Sequence, residues 1–392
     1  MRWRWSALLG SVVFALGSLL PAPESIRVSP FDTFGDAIAR GDVPYRDFSL
    51  EYPPGALPPI VVPALVPELS YAATFRVLEA LLGILLVVCT AYLLRDARRV
   101  ERVAGVALVA LVPVLLGSIV LSRFDLWPAL LVSASLVALD RSRVGAAGVL
   151  LGVATAAKLY GAALALPLLS FARQEGDPSR TRAAALGFAA AGILVTAPLA
   201  LVAPGGVAAS LERQLTRPLQ IESLGGSLLL ALGSPGVEFD SGSWNVHGDV
   251  ADAIGLLSTA LGFVVVVVFW TLVWRYPGRV GAPPLAYAAC VAVVLVLGKV
   301  VSPQFLLWLV PLAAVVRGRC GLTVCGLLAV ACVLTQLVYP WKYEELVDDD
   351  TGVVALLVVR NALLIAVAAI LGGALWRRIR TPGVSDPPLP VG

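Results

Sequence analysis

Charge is what this 392-residue chain has least of. Asp, Glu, Lys and Arg make up 14% of it, where a soluble globular protein carries roughly 25%. Histidine occurs once, as His247, and lysine three times against 26 arginines. One histidine leaves little for a metal centre, and the five cysteines, Cys89, Cys290, Cys320, Cys325 and Cys332, match no zinc spacing. All five sit in or beside apolar runs, which argues against a disulfide framework. No internal repeat is visible, so repeat architectures gain no support.

What fills the chain instead is apolar. Hydrophobic residues reach 58%, and the mean hydropathy is +0.88. Runs of about 20 apolar residues recur along the sequence, each long enough to span a bilayer. The expected fold is an all-α polytopic membrane protein, and a soluble enzyme is excluded. The predicted spans are 5–22, 72–94, 103–121, 125–139, 143–158, 160–172, 183–203, 255–274, 283–298, 303–316, 320–339 and 353–376. Four of them (125–139, 143–158, 160–172 and 303–316) are short and read as broken, tilted or partly re-entrant helices. The basic, apolar N-terminus reads as a retained first span, with a cleaved signal peptide as the alternative.

Charge asymmetry orients these twelve spans. With the N-terminus in the cytoplasm, the inner segments and the 377–392 tail hold 18 arginines and 6 acids. The remainder holds 11 Lys and Arg with 20 acids. Both termini are then cytoplasmic, and residues 1–376 form one transmembrane domain. Its two long outer loops are 23–71 and 204–254.

Candidate functional residues gather on that outer side. In the first loop, Ser29 reads as an N-cap, Pro30 as N1, and Gly41 as the residue past a helix over 30–40. Asp32 and Asp36 share one face of it. The prolines and turns of PYRDFSLEYPPGALP then fix an extended path carrying Asp47, Glu51 and Tyr52. Each acid also has a structural reading: Asp32 as a capping-box acid, Asp36 paired with Arg40, and Asp47 paired with Arg46. SRFD places Arg123 and Asp125 between two spans, with Ser122 and Asp125 readable as a capping box. Lys158 in AAKLYG and Lys299 in LGKVVSPQF sit at joints between short helices, Tyr160 and Gln304 close after them. A cation at membrane depth costs on the order of 3 kcal/mol and needs a partner or a wet cavity. In SLERQLTRPLQIES, Arg213 and Arg217 share a helical face over 210–223, which reads as an interfacial amphipathic helix. His247 reads as an ordinary loop residue, and Asp348–Asp350 as a solvated acidic loop rather than a metal motif. Cations and carboxylates on one face suit an anionic, lipid-borne substrate with a general base.

The run PFDTFGDAIARGDVPYRDFSLEYPPGALP resembles the signature of glycosyltransferase family 87. SRFD…PALL, AAKLYG, RQLTRPLQIES and GKVVSPQFLLWLVPL follow it in order, over about residues 28–315. That family is mostly actinobacterial and includes mycobacterial polyprenyl-phosphate-mannose-dependent mannosyltransferases. The resemblance implies a GT-C membrane fold and an inverting transfer at the outer face of the plasma membrane. The donor would be a polyprenyl-monophosphate sugar, most readily mannose, and the acceptor a glycolipid or cell-envelope glycan. It implies Asp32 as the base, then Asp36; here the order is FDTFGD, with Phe34 where a tyrosine is common. Lys158, Lys299, Arg123 and His247, in that order, would hold the donor phosphate. Asp47, Glu51, Tyr52, Asp125, Tyr160, Arg213, Arg217 and Gln304 would contact substrate. No metal, other cofactor or nucleic acid is called for, and membrane lipids are the remaining partner. The competing reading is a transporter or flippase of lipid-linked sugars, which would place its ionisable residues near the bilayer midplane.

Overall fold

The structure is a computed structural model, and it describes residues 2–21, 28, 30–66, 68–174, 176–233 and 236–380. The expected N-cap Ser29 and the tail from residue 381 lie outside the described residues.

Every predicted span holds helix. Helix α1 (Arg2–Gly17) opens the chain. The first long connection then folds as α2 (Phe31–Ala39) and α3 (Leu57–Ala64), the latter entered by a Pro54–Ala56 turn. Next come α4 (Tyr71–Leu93), α5 (Arg99–Ala110), α6 (Val112–Leu115), α7 (Leu126–Asp140), α8 (Val144–Ala157) and α9 (Ala165–Arg173). Helix α10 (Pro178–Val202) leads into the second long connection, which contains α11 (Pro204–Thr216) and α12 (Leu224–Ala231). The final helices are α13 (Asp249–Arg275), α14 (Pro277–Val280), α15 (Pro283–Leu297), α16 (Leu306–Ala314), α17 (Gly318–Gln336), α18 (Tyr343–Val347) and α19 (Thr351–Arg380).

Among the described residues, five helical stretches are long and apolar enough to cross a membrane: α4, α10, α13, the Gly318–Trp341 stretch that begins with α17, and α19. The short spans are interrupted where the sequence placed polar joints. Lys158 is extended between α8 and the Leu159–Leu164 turn that precedes α9. Residues 298–302 separate α15 from a Pro303–Phe305 turn and α16. Such breaks are tolerated at membrane depth only where protein or a wet cavity covers the freed backbone.

The arginine-rich segments expected inside meet at one end of the bundle. Arg95 pairs with Asp140, Arg141 donates to the Tyr92 hydroxyl, Arg173 to Trp274 O, and Arg279 to Ile379 O. The segments expected outside meet at the other end. There a second core, separate from that of the bundle, joins α12, α18, the start of α19 and a small sheet not foreseen in the sequence. Strands β1 (Leu219–Gln220), β2 (Val237–Asp240) and β3 (Ser243–Val246) are antiparallel in the order β1-β3-β2. Ser241 and Gly242 both take positive φ in the two-residue turn between β2 and β3, as a tight hairpin requires.

The predicted amphipathic helix over 210–223 is corrected. Helix α11 stops at Thr216, Arg217 turns to extended geometry, and 219–220 becomes β1. Pro218 explains the break, because it disfavours helical geometry in the residue before it. Arg213 and Arg217 therefore do not share a helical face. Helix α2 lies where expected, and Gly41 follows it with φ of 97°. Pro30 occupies its N-cap position rather than N1.

Candidate active site

A cavity of about 890 Å³ lies between the bundle and the two long connections. Its first wall is built by residues 44–58. Pro44 and Phe48 bridge, Tyr45 N–H donates to Phe48 O, and the loop between them is closed by a two-pronged Arg46–Asp47 pair at 2.9 and 2.8 Å. Asp47 also accepts from Val43 N–H at 2.7 Å. The Arg46 hydrogen bond first, then the Val43 N–H, lowers the Asp47 carboxyl to about 2. Asp47 is thus a loop clamp and does not line the cavity.

The clamp delivers Glu51 and Tyr52 to the cavity wall. The Glu51 carbonyl accepts from Ser210 Oγ at 3.1 Å and Gln214 Nε2 at 2.7 Å, both on α11. The Tyr52 carbonyl accepts from the Tyr45 hydroxyl at 2.6 Å. Gly55 then meets the end of α8 so closely that a Cβ there would lie 2.5 Å from the Ala156 carbonyl carbon. Gly206 on α11 makes a comparable approach to the Tyr45 carbonyl, where a Cβ would collide with the oxygen. The YPPG turn is therefore seated directly against the joint that carries Lys158. Burial first, then the neighbouring Glu51 carboxylate, pushes the Tyr52 phenol well above the ordinary tyrosine range, so it stays protonated.

The second wall is that joint. Lys158 Nζ donates to Asp125 Oδ1 at 2.9 Å, and Trp308 Nε1 donates to the same oxygen at 2.8 Å. Asp125 is 1% exposed and Lys158 12%. The ammonium lies 4.7 to 5.9 Å from the ring centroids of Phe305, Phe124, Trp308 and Tyr52. Trp308 stacks with both Tyr160 and Phe305. A largely covered cation held by a buried carboxylate and surrounded by aromatic rings is fixed in place. Ser122 and Asp125 do not form a capping box: Ser122 donates to Ile119 O, and α7 begins without a side-chain cap.

The third wall is cationic and more open. Arg213, Arg217 and Lys299 all line the cavity. Lys299 Nζ donates to Leu215 O at 2.7 Å, in the last turn of α11, where free carbonyls favour a cation. Its stem packs along Gly255 of α13. Burial lowers the Lys299 pKa; Asp252 opposes this and the like charge of Arg217 adds to it. Arg217 reaches Ser243 Oγ at 2.8 Å, while its Nε is buried with no hydrogen-bond partner among the described residues. Arg123 and Gln304 complete the lining contributed by expected residues.

Besides Asp47 and the buried Asp125, three more expected residues lie outside the lining. Asp32 is half-buried on α2 and accepts from its own neighbour, Thr33 N–H, at 2.8 Å; Asp36 is exposed. The α2 residues that line the cavity are Phe34 and the preceding Pro30, not these acids. His247 lies beyond β3 with Nε2 3.0 Å from Asp240 Oδ2, also outside the lining.

Sequence reasoning missed the fourth wall: Gln220, Glu222, Phe239, Trp244, Tyr339 and Tyr343. The hairpin was readable, because EFDSGSWN alternates around a two-residue turn. Glu222 was not, since its environment is made by residues over a hundred positions away. Tyr343 donates to its Oε1 at 2.7 Å, and Arg360 and Asn361 of α19 hold its carbonyl. This contact accounts for the arginine that lies within the last span, Arg360.

The fold is a polytopic helical bundle with carboxylates and several cations around one substrate-sized cavity. Residues 50–303 match the family model for glycosyltransferase family 87, and the chain belongs to that family. The matched interval includes Glu51, Lys158 and Lys299 and begins after Asp32, Asp36 and Asp47. No curated protein matches the chain.

Proposed function

We propose that the protein transfers a sugar, mannose, from a polyprenyl-monophosphate donor to a glycolipid or cell-envelope glycan at the outer face of the plasma membrane. The observation that carries this reading is the meeting of Glu51, Arg213, Arg217 and Lys299 around one cavity. The cavity lies at the end of the bundle away from the arginine-rich segments, which supports an outer location.

The anionic donor phosphate is drawn to Arg217, Lys299 and Arg213. The polyprenyl chain follows the apolar surface of α13, whose Leu256, Leu257 and Phe263 are exposed. As the acceptor hydroxyl attacks the anomeric carbon, the bond to the phosphate oxygen breaks and negative charge grows on the departing phosphate. Preorganised cations stabilise that charge without moving. Lys158 serves differently: it is tied in the second wall to Asp125, the carboxylate that also accepts from Trp308.

Glu51 takes the proton of the acceptor hydroxyl. The resemblance implies Asp32 for this role, but among the carboxylates of the first long loop Glu51 is the one that lines the cavity, on a backbone anchored at both its own and the next carbonyl. The test uses purified full-length protein in detergent with short-chain polyprenyl-phosphate-[14C]mannose and an acceptor lipid extract. Glu51→Gln is expected to reduce transfer by about 10³-fold, within the range for a general base, while Asp32→Asn remains active. The opposite pattern returns the base to Asp32. Failure of the wild type with mannose and then with a panel of lipid-linked sugars overturns the transferase mechanism.

A further inference from the structure

The fourth wall has no part in the transfer chemistry above, yet it is built to bind. Glu222 is 1% exposed, and its carbonyl is pinned by Arg360 and Asn361. Tyr343 satisfies Oε1, but Oε2 has no hydrogen-bond partner among the described residues, and the residue lines the cavity. A buried acceptor left without a donor is unfavourable, so the arrangement favours an incoming hydroxyl or amide. Across from the bundle, the hairpin presents Phe239, 63% exposed, edge-to-face with Trp244 at 5.6 Å.

The chemistry of this wall selects its ligand. A phosphate is disfavoured beside Glu222 and has the cationic wall to occupy. A purely apolar group would leave the free carboxylate oxygen unsatisfied. A cation would meet Arg217, which anchors the hairpin through Ser243. A neutral pyranose meets both demands: its C–H face lies on an aromatic ring, and a ring hydroxyl donates to the carboxylate. The hairpin turn also abuts the reaction centre, since a Cβ on Gly242 would stand 3.7 Å from Glu51 Oε2. A sugar held on this wall therefore has a hydroxyl within reach of Glu51.

We infer that Glu222, Phe239 and Trp244 form a pyranose-binding subsite and, resting on the transfer reading above, that its occupant is the acceptor sugar. The full chain, in a detergent without a sugar headgroup, is titrated with methyl pyranosides while saturation-transfer NMR follows the ligand. The wild type is expected to bind, Phe239→Ala and Glu222→Gln to weaken binding about tenfold each, and Phe239→Trp to retain it. Phe239 is exposed, so Phe239→Ala keeps the test valid even if Glu222→Gln fails to fold. Absence of wild-type binding, or equal affinity in wild type and Phe239→Ala, overturns the subsite. The two readings fail separately. Pyranoside binding without any transfer removes the transferase mechanism and leaves the subsite. Transfer with an unchanged acceptor KM in Phe239→Ala removes the subsite and leaves the mechanism.

Discussion

The two ends of this bundle are made from the same kinds of charged residue and use them in opposite ways. At the arginine-rich end, charges pair locally or cap carbonyls: Arg95 with Asp140, Arg98 with Glu101, Arg317 with Leu93 O. At the other end, Arg213, Arg217, Lys299 and Glu51 converge on a cavity. Opposite charges brought together at a solvated surface settle each other. Charges held apart around a cavity remain available to a substrate. The difference is made by the backbone: helix joints, a clamped loop and a hairpin separate the groups at one end, and short basic turns crowd them at the other.

The contrast in stability is the sharpest test. Asp125→Ala removes the buried partner of the largely covered Lys158 and is expected to cost about 3 kcal/mol. Asp140→Ala breaks the half-exposed pair with Arg95 and is expected to cost less than about 1 kcal/mol. Thermal unfolding of both variants in one detergent compares them directly; equal losses would erase the distinction. The next effect is functional. Arg217→Ala is expected to raise the donor KM about tenfold through the loss of one charge-assisted contact, with Arg95→Ala unchanged. Kinetics at several donor concentrations separate this from a change in kcat. The smallest effect concerns Asp47. Its carboxyl, lowered from an ordinary 3.8 to about 2, contributes stability that is complete above the ordinary value and is lost as pH falls through about 2. Unfolding followed across that window should show a decline that Asp47→Asn lacks.

Much of the bundle was legible because apolar runs and helix breakers act locally. The joints at Lys158 and Lys299, the PYRDF turn and the helix over 31–39 could all be read from neighbouring residues. The two lysines looked equivalent and are not. Lys158 meets Asp125 across 33 residues, whereas Lys299 rests on the end of α11. Nothing in the sequence announces either partner. Arg213 and Arg217 reached the cavity by a route different from the expected helical face, because Pro218 ended the helix early. Glu222 was invisible for the reason that makes it interesting: Tyr343, Arg360 and Asn361 surround it only after α18 and α19 have packed.

Gly55 gives the molecule something like a locating pin. Its missing side chain lets the 50–55 segment seat against the Ala156–Ala157 backbone in one register, with Trp127 Nε1 donating to its carbonyl at 3.1 Å. The pin sets the tolerance between the carboxylate of one loop and the cation of another without belonging to either. A methyl group added there would jack the two walls apart while the bundle beneath assembled as before. The protein can therefore lose its alignment and keep its architecture, a fault that no measure of folded helix would register.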